Sequence, residues 1–195
     1  LRDSFKSYLR LSHFVIFPLM LGMAILSEPL ITIVLTEKWL PMSGYFSILC
    51  IAYGFTPVMV ANNQILLVNG RSDLFLMAEV VKKIVGSIIL LSTFSYGIEV
   101  ICLGFFVYNI FDSAITIFYS KKATGIGYFE QFQWLYKTTV AAFCMLAVVY
   151  FSSSLFSHDL SKIIVGLLLG LVSYFYICHV LKTKLLTKIF PIGNL

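Results

Sequence analysis

The sequence predicts an all-α, polytopic membrane protein with six transmembrane helices. Hydrophobic residues make up 59% of the 195 residues and charged residues only 12%, whereas soluble domains carry about 25% charged residues. The mean hydropathy is +0.94. A membrane-spanning helix needs about 20 mostly apolar residues, and windows without Asp, Glu, Lys or Arg recur at 11–27, 39–70, 84–98, 138–158 and 163–181. These runs lack the alternation of β-barrel strands, which favours helices.

The predicted spans lie at about 9–35, 44–68, 74–96, 99–120, 138–156 and 161–181. Pro18 should kink the first span, because proline cannot donate an intrahelical hydrogen bond. Ser27-Glu28-Pro29 is a suitable start for a new helix, since serine is a good N-cap and proline is tolerated in a first turn. We therefore expect the first span to break there and a short interfacial helix to follow over 30–36.

The third span is expected to begin after Gly70, with Ser72 or Asp73 as its N-cap. Glycines within the predicted spans permit close approach of neighbouring helices. Gly166 and Gly170 form one such small-residue pair in the sixth span. We interpret them as packing positions.

Lys and Arg residues are distributed very unequally between the two sides of the six spans. Twelve fall on the side that includes both chain ends, and only Lys38 and Lys162 fall on the other. By the positive-inside rule the first side is cytoplasmic, so both ends of this chain are predicted to face the cytoplasm. The net charge of +5 is then a topology signal, and nucleic-acid binding is not expected.

Three basic residues surround the start of the third span and are predicted to anchor it at lipid headgroups: Arg71, Lys82 and Lys83. Glu79 and Lys83 are spaced i, i+4 and are expected to form a solvated ion pair at the membrane surface.

Residues 121–137 form a basic and aromatic segment between the fourth and fifth spans. Its apolar residues recur on one helical face, which is typical of an interfacial helix leading into the fifth span. These residues are Tyr128, Phe129, Phe132, Leu135 and Tyr136. Ordinary aromatic residues at the membrane–water interface would account for most of the same pattern.

The sequence lacks the motifs expected of a membrane enzyme. There is no HExxH, GxSxG or paired-carboxylate motif. The four cysteines and three histidines are scattered without metal-ligand spacing, and the loops on the less basic side are short. We therefore predict no catalytic residues, no metal site, no cofactor and no enzymatic activity.

Polar residues inside predicted spans are costly unless they face the protein interior or a watery cavity. Asp112 lies nine residues before Lys121, about 13 Å from the basic side, with Asn109 one turn earlier. Asp112 is either a substrate, ion or proton site or a hydrogen-bonding partner of another helix. The consecutive amides Asn62, Asn63 and Gln64 could also either line a cavity or form hydrogen bonds between helices. They point in different directions, so at most two of them can face one cavity. All five residues are candidate positions of a substrate or ion pathway.

Two stretches resemble the C-terminal part of polysaccharide flippases, the O-antigen or lipopolysaccharide biosynthesis proteins of the multidrug/oligosaccharidyl-lipid/polysaccharide exporter superfamily. LSHFVIFPLMLGMAILSEPLITIVLTEKWLP is similar to the family's Pro- and Gly-containing span and the turn that follows it. ILCIAYGFTPVMVANNQILLVNGRSDLFLMAEVVKK is similar to its polar-ended helix, Gly-Arg turn and basic next span. The order of four further helices and a basic tail extends the likeness.

The resemblance implies one part of a two-lobed transporter of 12–14 helices. Residues 1–120 would be the last four helices of the C-terminal lobe, 121–137 a cytoplasmic or interfacial linker, and 138–195 two additional helices and a basic tail. The missing N-terminal lobe would be a partner, together with membrane lipids and a lipid-linked oligosaccharide. The implied function is flipping undecaprenyl-diphosphate-linked oligosaccharide across the bacterial inner membrane by alternating access.

Two other functions remain open on the sequence. One is a cation-coupled drug exporter of the same superfamily, and the other is a membrane scaffold that transports nothing. The predicted spans hold no basic residue at mid-depth, so an acidic Asp112 fits a cation, a proton or an arginine of the missing lobe better than it fits a diphosphate.

Overall fold

A computed structural model describes residues 1–156 and 158–181, and within them every regular element is a helix. The α-helices are α1 (Arg2–Ile25), α2 (Ser27–Leu35), α3 (Ser43–Tyr53), α4 (Thr56–Val68), α5 (Ser72–Thr93), α6 (Ile98–Thr124), α7 (Tyr128–Ser154) and α8 (Asp159–Val180). Short 3₁₀ helices at Glu37–Met42 and Phe94–Tyr96 precede α3 and α6. The predicted basic tail, from residue 182 on, lies outside the described residues.

Five segments of the described chain are long and apolar enough to cross a membrane, which confirms the all-α polytopic fold. They are Arg2–Ile25, Glu37–Val68, Ile98–Thr124, Tyr128–Ser153 and Asp159–Val180. The predicted third span is also a helix, α5, but it carries Glu79, Lys82 and Lys83 near its middle. That α5 crosses the membrane stays a prediction.

The predicted break after α1 is present, and α2 begins at Ser27. The Ser47 hydroxyl, from α3, donates to the Ala24 carbonyl at 2.7 Å and also lies 2.8 Å from the Ser27 hydroxyl. This contact satisfies a carbonyl at the helix end, where regular partners run out.

α1 continues through Pro18, whose missing N–H leaves the carbonyl of Phe14 without its intrahelical donor. The hydroxyl of Tyr174, on α8, donates to this carbonyl at 2.8 Å. Tyr174 is only 3% exposed. The proline in α1 is therefore compensated by a residue 160 positions away in sequence.

The turn between α4 and α5 contains Gly70 as predicted, with a φ of +68° that favours glycine. The predicted N-cap is wrong. The cap position is Arg71, which makes no side-chain capping hydrogen bond, and the helix begins at Ser72. Instead Asp73 accepts two hydrogen bonds of 2.9 Å from the Arg71 side chain.

Glycines allow two helix pairs to pack closely, as predicted. In the α5–α6 pair, a Cβ atom on Gly104 would lie 2.8 Å from Cγ2 of Thr93. In the α7–α8 pair, a Cβ atom on Gly170 would lie 3.0 Å from Cγ2 of Val149. Both distances are shorter than normal contacts, so a larger residue would require the neighbouring side chain to shift.

α7 is one continuous helix from Tyr128 to Ser154, and the segment between α6 and α7 comprises only residues 125–127. Four of the five residues on the apolar face of the predicted interfacial helix are exposed, and its position at the membrane interface stays a prediction. Phe129 and Phe132 are 73% and 66% exposed, whereas Gln131 is 1% exposed. The aromatic side chains face outwards, as on the lipid-exposed surface of a membrane protein, whereas the amide of Gln131 lies in the interior.

Candidate functional site

A charged cluster lies between α5 and α6. The Lys82 side chain is 4% exposed, and its Nζ atom lies 3.4 Å from Oδ1 of Asp112. Nζ also pairs with Glu79, one turn earlier on α5. The side chains of Asp112 and Glu79 are 13% and 31% exposed. Three ionisable groups therefore meet in the interface between two apolar helices.

The helical pattern of α5 explains why Lys82 is inside. Its buried residues are Leu74, Ala78 and Lys82, spaced by four, so they form one face, which packs on α6. Gly86 continues this face, and a Cβ atom placed there would lie 3.0 Å from the Tyr108 ring. The 74-78-82-86 spacing is visible in the sequence and could have indicated that Lys82 faces inwards.

Two predictions are corrected by this cluster. Lys82 is not a headgroup anchor, because its ammonium group is buried against Asp112. Glu79 pairs with Lys82 rather than with Lys83, and Lys83 is exposed. Whether Lys82 lies at mid-depth depends on α5 crossing the membrane, which stays a prediction.

Asp112 is held by its own helix as well as by Lys82. The hydroxyl of Thr116 donates to the Asp112 backbone carbonyl at 2.6 Å and lies 3.0 Å from its Oδ1 atom. Thr116 belongs to a polar buried face of α6, which sequence reasoning identified only at its first member. The residues of this face are Asn109, Ser113, Thr116 and Ser120.

Asn62, on α4, is fully buried, and both its amide nitrogen and its amide oxygen are hydrogen-bonded. Its Nδ2 atom donates to Oε1 of Gln131 at 2.8 Å and to the Val58 carbonyl at 2.8 Å. Its Oδ1 atom accepts from Nε2 of Gln131 at 2.9 Å and from the Ser120 hydroxyl at 2.5 Å. These bonds join α4, α6 and α7, and leave this amide no free group for a substrate.

The other predicted pathway residues do not gather at one place. Gln64 is exposed. Asn109 is 3% exposed and donates to the Phe105 carbonyl of its own helix at 2.8 Å. Oδ1 of Asn63 is buried, with no hydrogen-bond partner in the described part of the chain. Asp112 and Ser120 are two turns apart on α6, about 12 Å, so the charged cluster and the amide network are separate sites.

Arg71 lies in the exposed turn before α5 and is paired with Asp73. The hydrogen bonds from Arg71 lower the pKa of Asp73 to about 2. That Arg71 and Lys83 anchor the helix at lipid headgroups stays a prediction.

An apolar groove of about 280 Å³ opens between α1, α2, α7 and α8. Its walls include Pro18, Met145, Val149, Gly170 and Tyr174. Elsewhere among residues 1–156 and 158–181, no three His, Cys, Asp or Glu side chains come together as a metal-ligand set.

An apolar helical bundle with buried ionisable groups defines a polytopic membrane protein with internal polar sites. Residues 1–44 match the family model Polysacc_synt_3, described as "Polysaccharide biosynthesis protein". The chain is also similar to the teichuronic acid biosynthesis protein TuaB of Bacillus subtilis (strain 168), with 34% identity over 74 residues. That alignment covers 38% of this chain and 15% of TuaB. No solved structure matches.

These similarities confirm the resemblance to polysaccharide biosynthesis proteins that the sequence motifs indicated. The family match covers α1, α2 and the 3₁₀ turn that follows. It includes Pro18 and the break at Leu26, two of the features on which the resemblance was based.

Proposed function

We propose that this chain is part of a membrane transporter that moves a lipid-linked oligosaccharide across the bacterial inner membrane by alternating access. The observation that carries the proposal is the buried cluster of Glu79, Lys82 and Asp112. Ionisable groups inside membrane-spanning helices are expensive, and they mark transport pathways more often than packing.

The charge balance of the cluster supports this assignment. Two carboxylates face one ammonium group, which leaves one excess negative charge when all three are ionised. Asp112 and Glu79 remain partly accessible whereas Lys82 does not. The accessible side of the cluster therefore offers carboxylate oxygens, which suits a cationic partner of the missing lobe or a cation.

The groove supports the lipid part of the proposed substrate. Its lining is apolar and includes residues of four helices, and it lies next to α1, the helix within the family match. An isoprenoid chain presents only apolar surface, so it can enter such a groove without leaving a polar group unpaired.

A cation-coupled drug exporter is the second candidate, because its substrates also pass a cavity with buried carboxylates. The similarity to TuaB favours a polysaccharide precursor over a drug. Export of polysaccharide and resistance to cationic drugs are therefore to be measured on the same variants.

The experiment expresses the intact protein in cells that lack their own copy. Asp112→Asn and Lys82→Met are compared with wild type and with Lys83→Met, a matched exposed lysine one residue away. We expect lipid-linked oligosaccharide to accumulate in the first two variants while the Lys83→Met cells export normally. Normal export in Asp112→Asn and Lys82→Met would contradict the proposal, and a change in drug resistance alone would favour the second candidate.

A further inference from the structure

The buried face of α7 repeats every seven residues. Steps of four and three alternate along it, which is the spacing of a coiled-coil seam. The members of this seam are Gln131, Leu135, Thr138, Ala142, Met145, Val149 and Ser152, all at most 8% exposed. Such a seam can slip by one whole repeat without exposing its apolar residues, so something else must select the register.

Two polar members of the seam contact different helices. Gln131 exchanges two hydrogen bonds, of 2.8 and 2.9 Å, with Asn62 of α4. The Thr138 hydroxyl lies 3.0 Å from Nδ1 of His13 on α1. Arg2 and Glu130 pair at the beginning of the same α1–α7 interface. The residue numbers of these α1–α7 pairs rise together, so the two helices are parallel.

A slip of seven residues would move α7 by about 10 Å along its axis. Thr138 would then face Asn62, and Met145 would face His13. The amide of Asn62, which is fully buried, would lose a partner that matches both its donor and its acceptor. An unpaired buried amide is costly, and one polar residue at such a seam position is known to fix register.

We propose that Gln131 and Asn62 set the register of α7 against the other helices and thereby position the apolar groove. Met145 and Val149 lie two and about two and a half repeats after Gln131 on the same seam, and both line the groove. The pair is a positioning element and contacts no substrate. The importance of the groove for transport rests on the proposed function, whereas the register does not.

The register can be measured with two spin labels on the intact protein in lipid nanodiscs. Val15→Cys on α1 and Tyr150→Cys on α7 are both at exposed positions, 55% and 63%. Cys144 is replaced by serine because it is exposed, whereas Cys50, Cys102 and Cys178 are buried. The distance distribution between the labels then reports the position of α7 along α1.

We expect Gln131→Leu to broaden this distribution or add a second population, displaced by up to about 10 Å, and to reduce transport at least ten-fold. The matched control is Gln133→Leu, the same change at an exposed position of the same helix, which should alter neither reading. The exchange of Asn62→Gln with Gln131→Asn keeps two amides in contact and should restore a single narrow population. Ser120→Ala, which removes one bond to Asn62, provides a milder variant if Gln131→Leu fails to fold.

An unchanged distribution in Gln131→Leu and Ser120→Ala would overturn the proposal, whatever happens to transport. Broadening in Gln133→Leu as well would also overturn it, because the effect would then be unspecific. A displaced distribution with normal transport would leave the register assignment standing and remove the role of the groove. The failures of the two proposals are therefore distinguishable.

Discussion

Removing one member of the buried pair Lys82–Asp112 tests whether the pair is energetically coupled. A double-mutant cycle measures this coupling. It is made in a Glu79→Gln background, so that Lys82 has one charged partner and the Lys82–Asp112 pair is neutral overall. Lys82→Met and Asp112→Asn are then made singly and together. Each single variant leaves a buried charge without its partner, whereas the double variant leaves none.

The expected magnitude follows from the separation and the burial of the two groups. At 3.4 Å and an effective dielectric constant of about 20, two unit charges attract each other by about 5 kcal/mol. Desolvation offsets part of this attraction, and breaking a buried pair typically costs about 3–5 kcal/mol. Asp112 keeps its bond to Thr116, so we expect a coupling energy of about 2–4 kcal/mol.

The assay is reversible unfolding in mixed detergent micelles, followed by circular dichroism. Each single variant should lower the free energy of unfolding, and the double variant should recover most of that loss. Lys83→Met, an exposed neighbour, should change it by less than about 0.5 kcal/mol. Single losses that simply add, within about 0.5 kcal/mol, would refute the coupling and with it the view that Lys82 is a buried counter-ion.

Three further outcomes are expected. Tyr174→Phe should cost about 1–3 kcal/mol in the same unfolding assay, because it removes the hydroxyl that donates to the Phe14 carbonyl, which proline leaves free in α1; Tyr176→Phe, at an exposed position, should be neutral, and equal losses would contradict this account. Gly104→Val should cost about 1–3 kcal/mol by overpacking against α5, and a neutral result would mean that the helices are further apart. Asn109→Cys should resist a water-soluble maleimide in the native protein, because position 109 is buried, whereas Arg71→Cys, in the exposed turn before α5, should react; rapid labelling at 109 would indicate a water-filled cavity.

The same burial pattern shows which position can distinguish a transporter from a membrane scaffold that transports nothing. Asn62 and Asn109 are buried and hydrogen-bonded, so their resistance to labelling would fit a transporter and a scaffold equally. Asp112 is the informative position, because its side chain is partly accessible. Labelling of Asp112→Cys would argue against the scaffold.

Predictions from the sequence succeeded where a local property decides the outcome. Four of the five charge-free windows lie within or overlap the candidate spans, since length and apolarity are sufficient for that. α6 has no such window because Asp112 interrupts its apolar run. Gly70 marked a turn through its own backbone preference. The break before α2 was also located correctly, although Ser27 is the first residue of α2 and not its N-cap. Gly166 and Gly170 of α8 indicated close packing, because a residue without a Cβ atom lets any neighbouring helix approach closely.

Predictions failed where the outcome depends on which face of a helix meets a partner. A lysine near the start of a predicted span is ordinarily a headgroup anchor, and only the packing of α5 on α6 reveals that Lys82 is neutralised by Asp112. Gln131 was not among the residues predicted to lie inside, and it is buried against Asn62. Apolar periodicity could not identify this inward face of α7, since lipid accepts aromatic side chains as readily as the interior does.

The sequence by itself determined that this chain is a bundle of apolar helices, where most of their apolar centres lie, and which kind of protein it resembles. These properties follow from composition and short-range backbone preferences. Only the tertiary structure decided which polar groups meet: Asn62 with Gln131, Lys82 with Asp112, and Tyr174 with the carbonyl freed by Pro18. The physical reason is that a polar group in an apolar interior must find a partner, and that partner is set by helix packing and not by sequence neighbours.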